Sequence, residues 1–212
     1  MIVDQNTTGE PSGVTEMGLQ RFCIKVYAQP PAKVDDAQFI DIFHTWIQRQ
    51  ALRGILIDVA DYRHIARGPG VMLIGYEANL SMERTDGRLG LVYQRKVEQQ
   101  DPLPVRLLNA VEITLDACEL LENDLRLDGQ LGFSGNELVF IANDRLRVPN
   151  NDKAQDVLQE ALALVAQELY GGQEVSVEPD SQDPRERPQV RIRTPVPHDI
   201  TTLLEALRRR AH

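Results

Sequence analysis

An α+β fold, an antiparallel or mixed sheet covered by about four helices, is what this sequence predicts. Three observations carry it. Short stretches alternate apolar and polar residues at the period of a strand, while longer ones repeat apolar residues at helical spacing. An Asp-Gly pair, Asp86-Gly87, lies between two apolar runs and marks a β-hairpin. Three strand-like runs between residues 54 and 96 follow one another with no helix between them, as in a meander.

Residues 1–18 carry Gly, Pro and polar side chains without periodicity and read as a mobile tail ahead of a single domain, 19–212. Order begins at RFCIKVYA, where Phe22, Ile24 and Val26 alternate with Arg21, Cys23 and Lys25. After QPPAKV, Asp35 and Gln38 have the spacing of a capping box. Phe39, Ile40, Phe43, Trp46 and Ile47 then mark one face of a helix running to about residue 50. GILIDVADY at 54–62 is apolar at both parities, the pattern of an interior strand. GVMLIGYEANLSME and RLGLVYQRK flank RTDGR as the arms of the hairpin.

DPLPVRLLNAVEITLDACELLEND starts with prolines suited to a first helical turn and continues as a long helix. Its polar stripe of Asn109, Glu112, Asp116, Glu119 and Asn123 is narrow, so its apolar flanks need cover from the chain's own elements or from a second subunit. Gly135 and Asn136 suggest a turn leading into a strand. A helix over about 152–170 follows, ended by Gly171 and Gly172. EVSVE and QVRIR are short strands around PDSQDPRERP, and HDITTLLEALRRR is a last helix, its closing arginines set against the negative end of the helix dipole.

The same order of elements recurs at an offset near 115 to 120 residues, setting Ile55 against Val175 and Val71 against Val190. The halves 19–126 and 127–212 thus read either as a pseudo-twofold repeat or as a chance recurrence of common elements. Residue identity between them is slight.

A net charge of −9 repels phosphate backbones and anionic membranes, so neither nucleic acid nor membrane is an expected partner. No apolar run approaches the roughly 18 residues of a membrane span, and the first residues lack the basic-then-apolar pattern of a signal peptide. A cytoplasmic protein is expected. Cys23 and Cys118 fall inside a strand and a helix, as buried reduced thiols do; no metal or other cofactor is expected.

The densest chemistry lies in and around DYRHIARGPGVML. Asp58, Asp61 and His64 have the residue types of a general base with an orienting carboxylate, while Arg63, Arg67, Tyr76 and Glu77 are candidate ligand-binding residues. No Ser or Cys nucleophile is tied to them by a motif. Gly68-Pro69-Gly70 lacks the Lys-Ser/Thr and the following helix of a phosphate loop, and reads as a turn with a glycine at positive φ. Two functions stand. The first is a soluble non-catalytic binding or assembly protein, homodimeric, acting through protein contacts or a small-molecule pocket; the other is a small-molecule hydrolase or isomerase using Asp58, Asp61 and His64.

Overall fold

In a computed structural model that describes residues 18–144, 147–181, 183 and 185–210, eight strands and four α-helices are found among the described residues. The expected tail lies, but for Gly18, outside those residues. The first strand, β1 (Phe22–Ala28), precedes helix α1 (Gln38–Arg49). A four-stranded meander follows: β2 (Leu56–Asp61), β3 (Val71–Gly75), β4 (Ala78–Glu83) and β5 (Gly90–Arg95). The rest is α2 (Leu103–Glu122), β6 (Phe133–Ala142), α3 (Asp152–Tyr170), β7 (Ser176–Ser181), β8 (Gln189–Arg193) and α4 (Ile200–Arg210). The strands form one sheet in the order β2-β3-β4-β5-β1-β6-β8-β7, and every neighbouring pair is antiparallel. Among the described residues no helix is long and apolar enough to cross a membrane.

The helices share one face of the sheet. α1 packs on β2 and β3, α2 on β1 and β5, α3 on β7 and β8, and α4 on β6. Phe22, Ile24, Val26, Leu73, Leu91 and Phe140 join the helices' apolar stripes in one continuous core. At the start of α1, Asp35 N–H donates to Gln38 Oε1 (3.2 Å), but Asp35 Oδ1 accepts from Ala37 N–H (2.9 Å) and Gln38 N–H goes to the Asp35 carbonyl, so Ala37 is the N-cap and the expected capping box is only half formed. Asn151 caps α3 by accepting from Ala154 N–H, and Gly171 ends it in the left-handed conformation.

The breadth of apolar surface on α2 has its explanation inside the chain. This helix lies between the sheet on one side and α3 and α4 on others, and buries Leu107, Ala110, Val111, Leu115, Ala117 and Cys118 there. A second subunit is not needed to cover it.

Three expectations need correction. The run at 54–62 is not interior: β2 is an edge strand, and Ile55 and Ile57 are 66% and 54% exposed. Its apolar residues of both parities serve one covered face and an uncovered margin. The segment 70–83 is two strands, because the chain reverses at Gly75–Ala78, giving four strands in the meander instead of three. Gly135 is no turn residue but a strand position inside β6. A Cβ there would lie 2.4 Å from the His198 carbonyl oxygen, so glycine is what lets the segment before α4 cross the strand.

Both halves run strand, helix, meander, helix, and in each the last meander strand lies beside the first strand: β5 beside β1, and β8 beside β6. The offset that sets Val71 against Val190 does not follow this layout, since β4 and β5 separate β3 from β1 while β8 borders β6 directly. The helix packing differs between the halves as well, with α1 on β2 and β3 but α3 on β7 and β8.

Candidate functional site

Strand geometry decides first whether the candidate catalytic residues can meet. Side chains alternate between the faces of a strand, so residues three apart point to opposite sides. Asp58 stands opposite Ile74 and Asp61 opposite Val71, a core residue, which puts Asp58 on the face without helices and Asp61 on the helix side. Asp58 Oδ1 accepts from Val59 N–H (2.8 Å). Asp61 is held by Arg63 in an ion pair (2.8 Å) that pulls its carboxyl down to about 2. His64 is exposed and makes no hydrogen bond or ion pair among the described residues. The sheet thus separates the two carboxylates.

The candidate ligand-binding residues are also divided. Arg63 is occupied by Asp61. Tyr76 is 59% exposed at the turn between β3 and β4, and Glu77 beside it pairs with Arg95 (3.2 Å). These two lie at the opposite end of β3 from the loop 62–70. Arg67 differs from the rest, because with Pro69 it walls a cleft of about 430 Å³ on the uncovered face.

Register builds the floor of that cleft. Met72, Ser81, Val92, Lys25, Val139 and Arg191 stand opposite one another in a single row across β3, β4, β5, β1, β6 and β8. With strands about 4.8 Å apart, the row is roughly 24 Å long. Cys23 lies in the next row, between Gln94 and Ile141. Cys23, Tyr27 and Val139 are all but buried, yet none belongs to the core under the helices. They line the cleft on the other side, which two loops also border. One is 62–70; the other joins β7 to β8 and contributes Arg187.

The loop 62–70 is a built wall. Ile65 N–H donates to Tyr62 O and Gly68 N–H to Ile65 O, while Tyr62 N–H donates to Gly70 O (2.8 Å) and closes its base. Arg67 takes a left-handed backbone conformation between these turns (φ 58°).

At one end of the floor, charges are paired at close quarters. Lys25 Nζ contacts Glu83 Oε1 (2.5 Å) and Asp86 Oδ1 (2.7 Å), and the side chains of Lys25 and Glu83 are only 4% and 7% exposed. Tyr27 donates its hydroxyl proton to Asp86 Oδ2 (2.7 Å), and the Arg88 guanidinium lies over its ring at 3.6 Å. Glu137 gathers Arg88 (2.9 Å), Arg191 and Arg193 (3.1 Å), and Arg191 reaches on to Asp180. Burial pushes the Tyr27 hydroxyl up to about 12, helped by Asp86, and the Cys23 thiol up to about 11. Burial alone would raise Glu137 too, but Arg88, Arg191 and Arg193 outweigh it and hold the carboxyl at about 2.

That last shift carries a pH dependence with a definite sign. A carboxyl depressed on folding contributes stability above its unfolded pKa of 4.5, and that stability is lost as pH falls toward the folded value of about 2. Urea unfolding of the wild type is therefore expected to weaken more steeply between pH 4.5 and 2.5 than that of Glu137→Gln, over about that window. Parallel pH profiles for the two proteins would contradict the assignment.

Sequence reasoning missed Lys25, Tyr27, Glu83, Asp86, Glu137 and Arg191. The alternation in β1 set Lys25 on the face opposite Phe22, Ile24 and Val26, but the partners of Lys25 and Arg191 lie up to 61 residues away in the chain. Among the described residues no group of three His, Cys, Asp or Glu side chains is placed to hold a metal ion. Comparison with protein-family models, with curated proteins and with solved structures finds no match.

Proposed function

We propose that this chain is a non-catalytic binding protein that takes a small molecule into the cleft on the uncovered face of its sheet. One observation carries the reading: the central strands keep a row of part-apolar, part-charged side chains on a face that no helix covers, and two loops wall it. A sheet face left merely to solvent does not need Cys23, Lys25, Tyr27 and Val139 sunk below it. At about 430 Å³ the cleft falls within the usual range for small-molecule sites, roughly 300–1,000 Å³.

Binding suits the titratable groups better than proton transfer does. Cys23 and Tyr27 are shifted away from neutrality, Lys25 is fixed by two carboxylates, and Asp86 and Glu137 are each committed to cations. A general base works best with a pKa near the operating pH and a free lone pair, and none of these groups offers both.

The test is a panel of eight-carbon compounds, octanoate, octyl phosphate, octanol and octylamine, screened by thermal unfolding. At least one is expected to raise the Tm of the wild type, by the linkage of about 2.7 kcal/mol at a hundredfold excess over Kd. Val139→Trp, which fills the floor of the cleft, is expected to abolish the rise. No rise with any member, or the same rise in the folded Val139→Trp protein, would overturn the proposal.

A second reading, self-association, is favoured by the exposed Ile55 and Ile57 on and beside the free edge of β2. Such edges pair readily with a second strand, and two copies joined there would continue the sheet. Sedimentation equilibrium at micromolar concentration distinguishes the two: a dimer that Ile57→Lys dissolves supports edge pairing, and a monomer sinks it.

A further inference from the structure

The two loops that wall the cleft each deliver a guanidinium without an acid to match it. Among the described residues Arg67 has no carboxylate at ion-pair distance, and Arg187 donates only to the amide oxygen of Asn143 (2.9 Å). Every acid lining the cleft is engaged elsewhere: Glu83 and Asp86 on Lys25, and Asp180 on Arg191. The cleft therefore carries unmatched positive charge in a chain whose net charge is −9. Arg187 is near enough to the floor for its charge to oppose the effect of burial on the Cys23 thiol. Between the arginines the floor is largely apolar, with Met72, Val92, Val139 and Ile141.

We infer that the cleft is built for a small amphipathic anion, its carboxylate or phosphate head held by a guanidinium of the wall loops, Arg67 or Arg187, and its apolar body laid along Met72, Val92 and Val139. This rests on the cleft being the binding site. Arginine suits the role because its planar guanidinium gives two parallel N–H donors to one acidic group, and its charge survives at any physiological pH. Both arginines are exposed, so the acid head stays partly in water while the body is desolvated. The turns on either side of Arg67 and the closure of the loop at Gly70 fix where its side chain starts.

The experiment titrates octanoate, octyl phosphate, octanol and octylamine into ¹⁵N-labelled wild type, Arg67→Gln, Arg187→Gln, the double variant and a control, Arg63→Gln, whose arginine is paired outside the cleft. The acids are expected to bind at least about tenfold more tightly than octanol or octylamine, and the double variant to lose about tenfold for them, the effect of one charge-assisted hydrogen-bonding group, with the single variants showing which guanidinium holds the head. Arg63→Gln should bind as the wild type does. Whether octanoate or octyl phosphate binds more tightly distinguishes a carboxylate head from a phosphate. Octanol or octylamine matching the acids, or a double variant that binds the acids undiminished, would overturn the anion assignment while shifts at Lys25 and Val139 still upheld the cleft. Absence of shifts at cleft amides with every compound would overturn both.

Discussion

Replacing Lys25 with methionine is expected to cost about 3–5 kcal/mol of folding stability, the range for breaking a buried ion pair by removing one partner. The reason lies in what is left behind. Methionine fills nearly the same space, but Glu83, with its side chain 7% exposed, keeps its charge and loses its nearest cation. Thr85 supplies two remaining donors to Glu83, its backbone N–H and its hydroxyl, which places the cost toward the lower end of that range. Asp86 suffers less, because its side chain is 43% exposed and still accepts from Tyr27. Adding Glu83→Gln to Lys25→Met should restore about half of the loss or more, since a neutral amide in the same place needs no cation. Urea unfolding of the single and double variants reads this directly. A loss below about 1 kcal/mol for Lys25→Met would show that the pair is solvated and that the floor of the cleft is wetter than its burial implies.

Gly70→Val is expected to destabilise by about 3–5 kcal/mol, from two causes that act together. At φ 66° a β-branched residue is strained, which costs of order 1–3 kcal/mol. A Cβ at this position would also lie 2.0 Å from the backbone oxygen of Met82, an overlap that can be relieved only by moving β4 or the end of the loop, at about 1–3 kcal/mol. Gly87→Ala isolates the first cause. Gly87 also has positive φ, 85°, but a Cβ there meets nothing within 4 Å, so a loss of only about 1 kcal/mol is expected. Similar losses for the two variants, measured by chemical denaturation, would remove the argument that close approach to β4 fixes the base of the Arg67 loop.

Much of the architecture was legible in the sequence because it rests on local rules. The alternation in RFCIKVYA gave the central strand its two faces, the Asp-Gly pair gave the β4–β5 hairpin, and Gly171 ends α3 as its residue type suggests. Errors arose where tertiary context decides. β2 is apolar enough for an interior strand and lies at an edge, and nothing local distinguishes those places. Gly135 reads as a turn until the segment at His198 is known to cross it.

The candidate site was less legible, for a physical reason. Its loop was singled out, and Arg67 with it, but the candidate carboxylates Asp58 and Asp61 lie on opposite sides of the sheet. Parity alone separates Asp58 from Asp61 once a strand is expected over both, so that part was within reach of the sequence. The ion pairs that floor the cleft were not. Lys25 meets Glu83 and Asp86 only because the meander brings β4 and β5 back beside β1, and Arg191 meets Glu137 only because β8 returns to β6. Charges spaced so far apart in sequence look like ordinary solvated residues until the topology is known.

The central claim is that function resides on the uncovered face, in the cleft between the loop 62–70 and the loop joining β7 to β8. Amide chemical-shift mapping of the wild type with octanoate and octyl phosphate tests it most directly. The account predicts saturable shifts concentrated at Lys25, Val92, Val139 and Arg191 and in the Arg67 loop, with α1 to α4 and the β2 edge unmoved. Shifts confined to the helices or to Ile55 and Ile57, or none at saturating concentration, would contradict it.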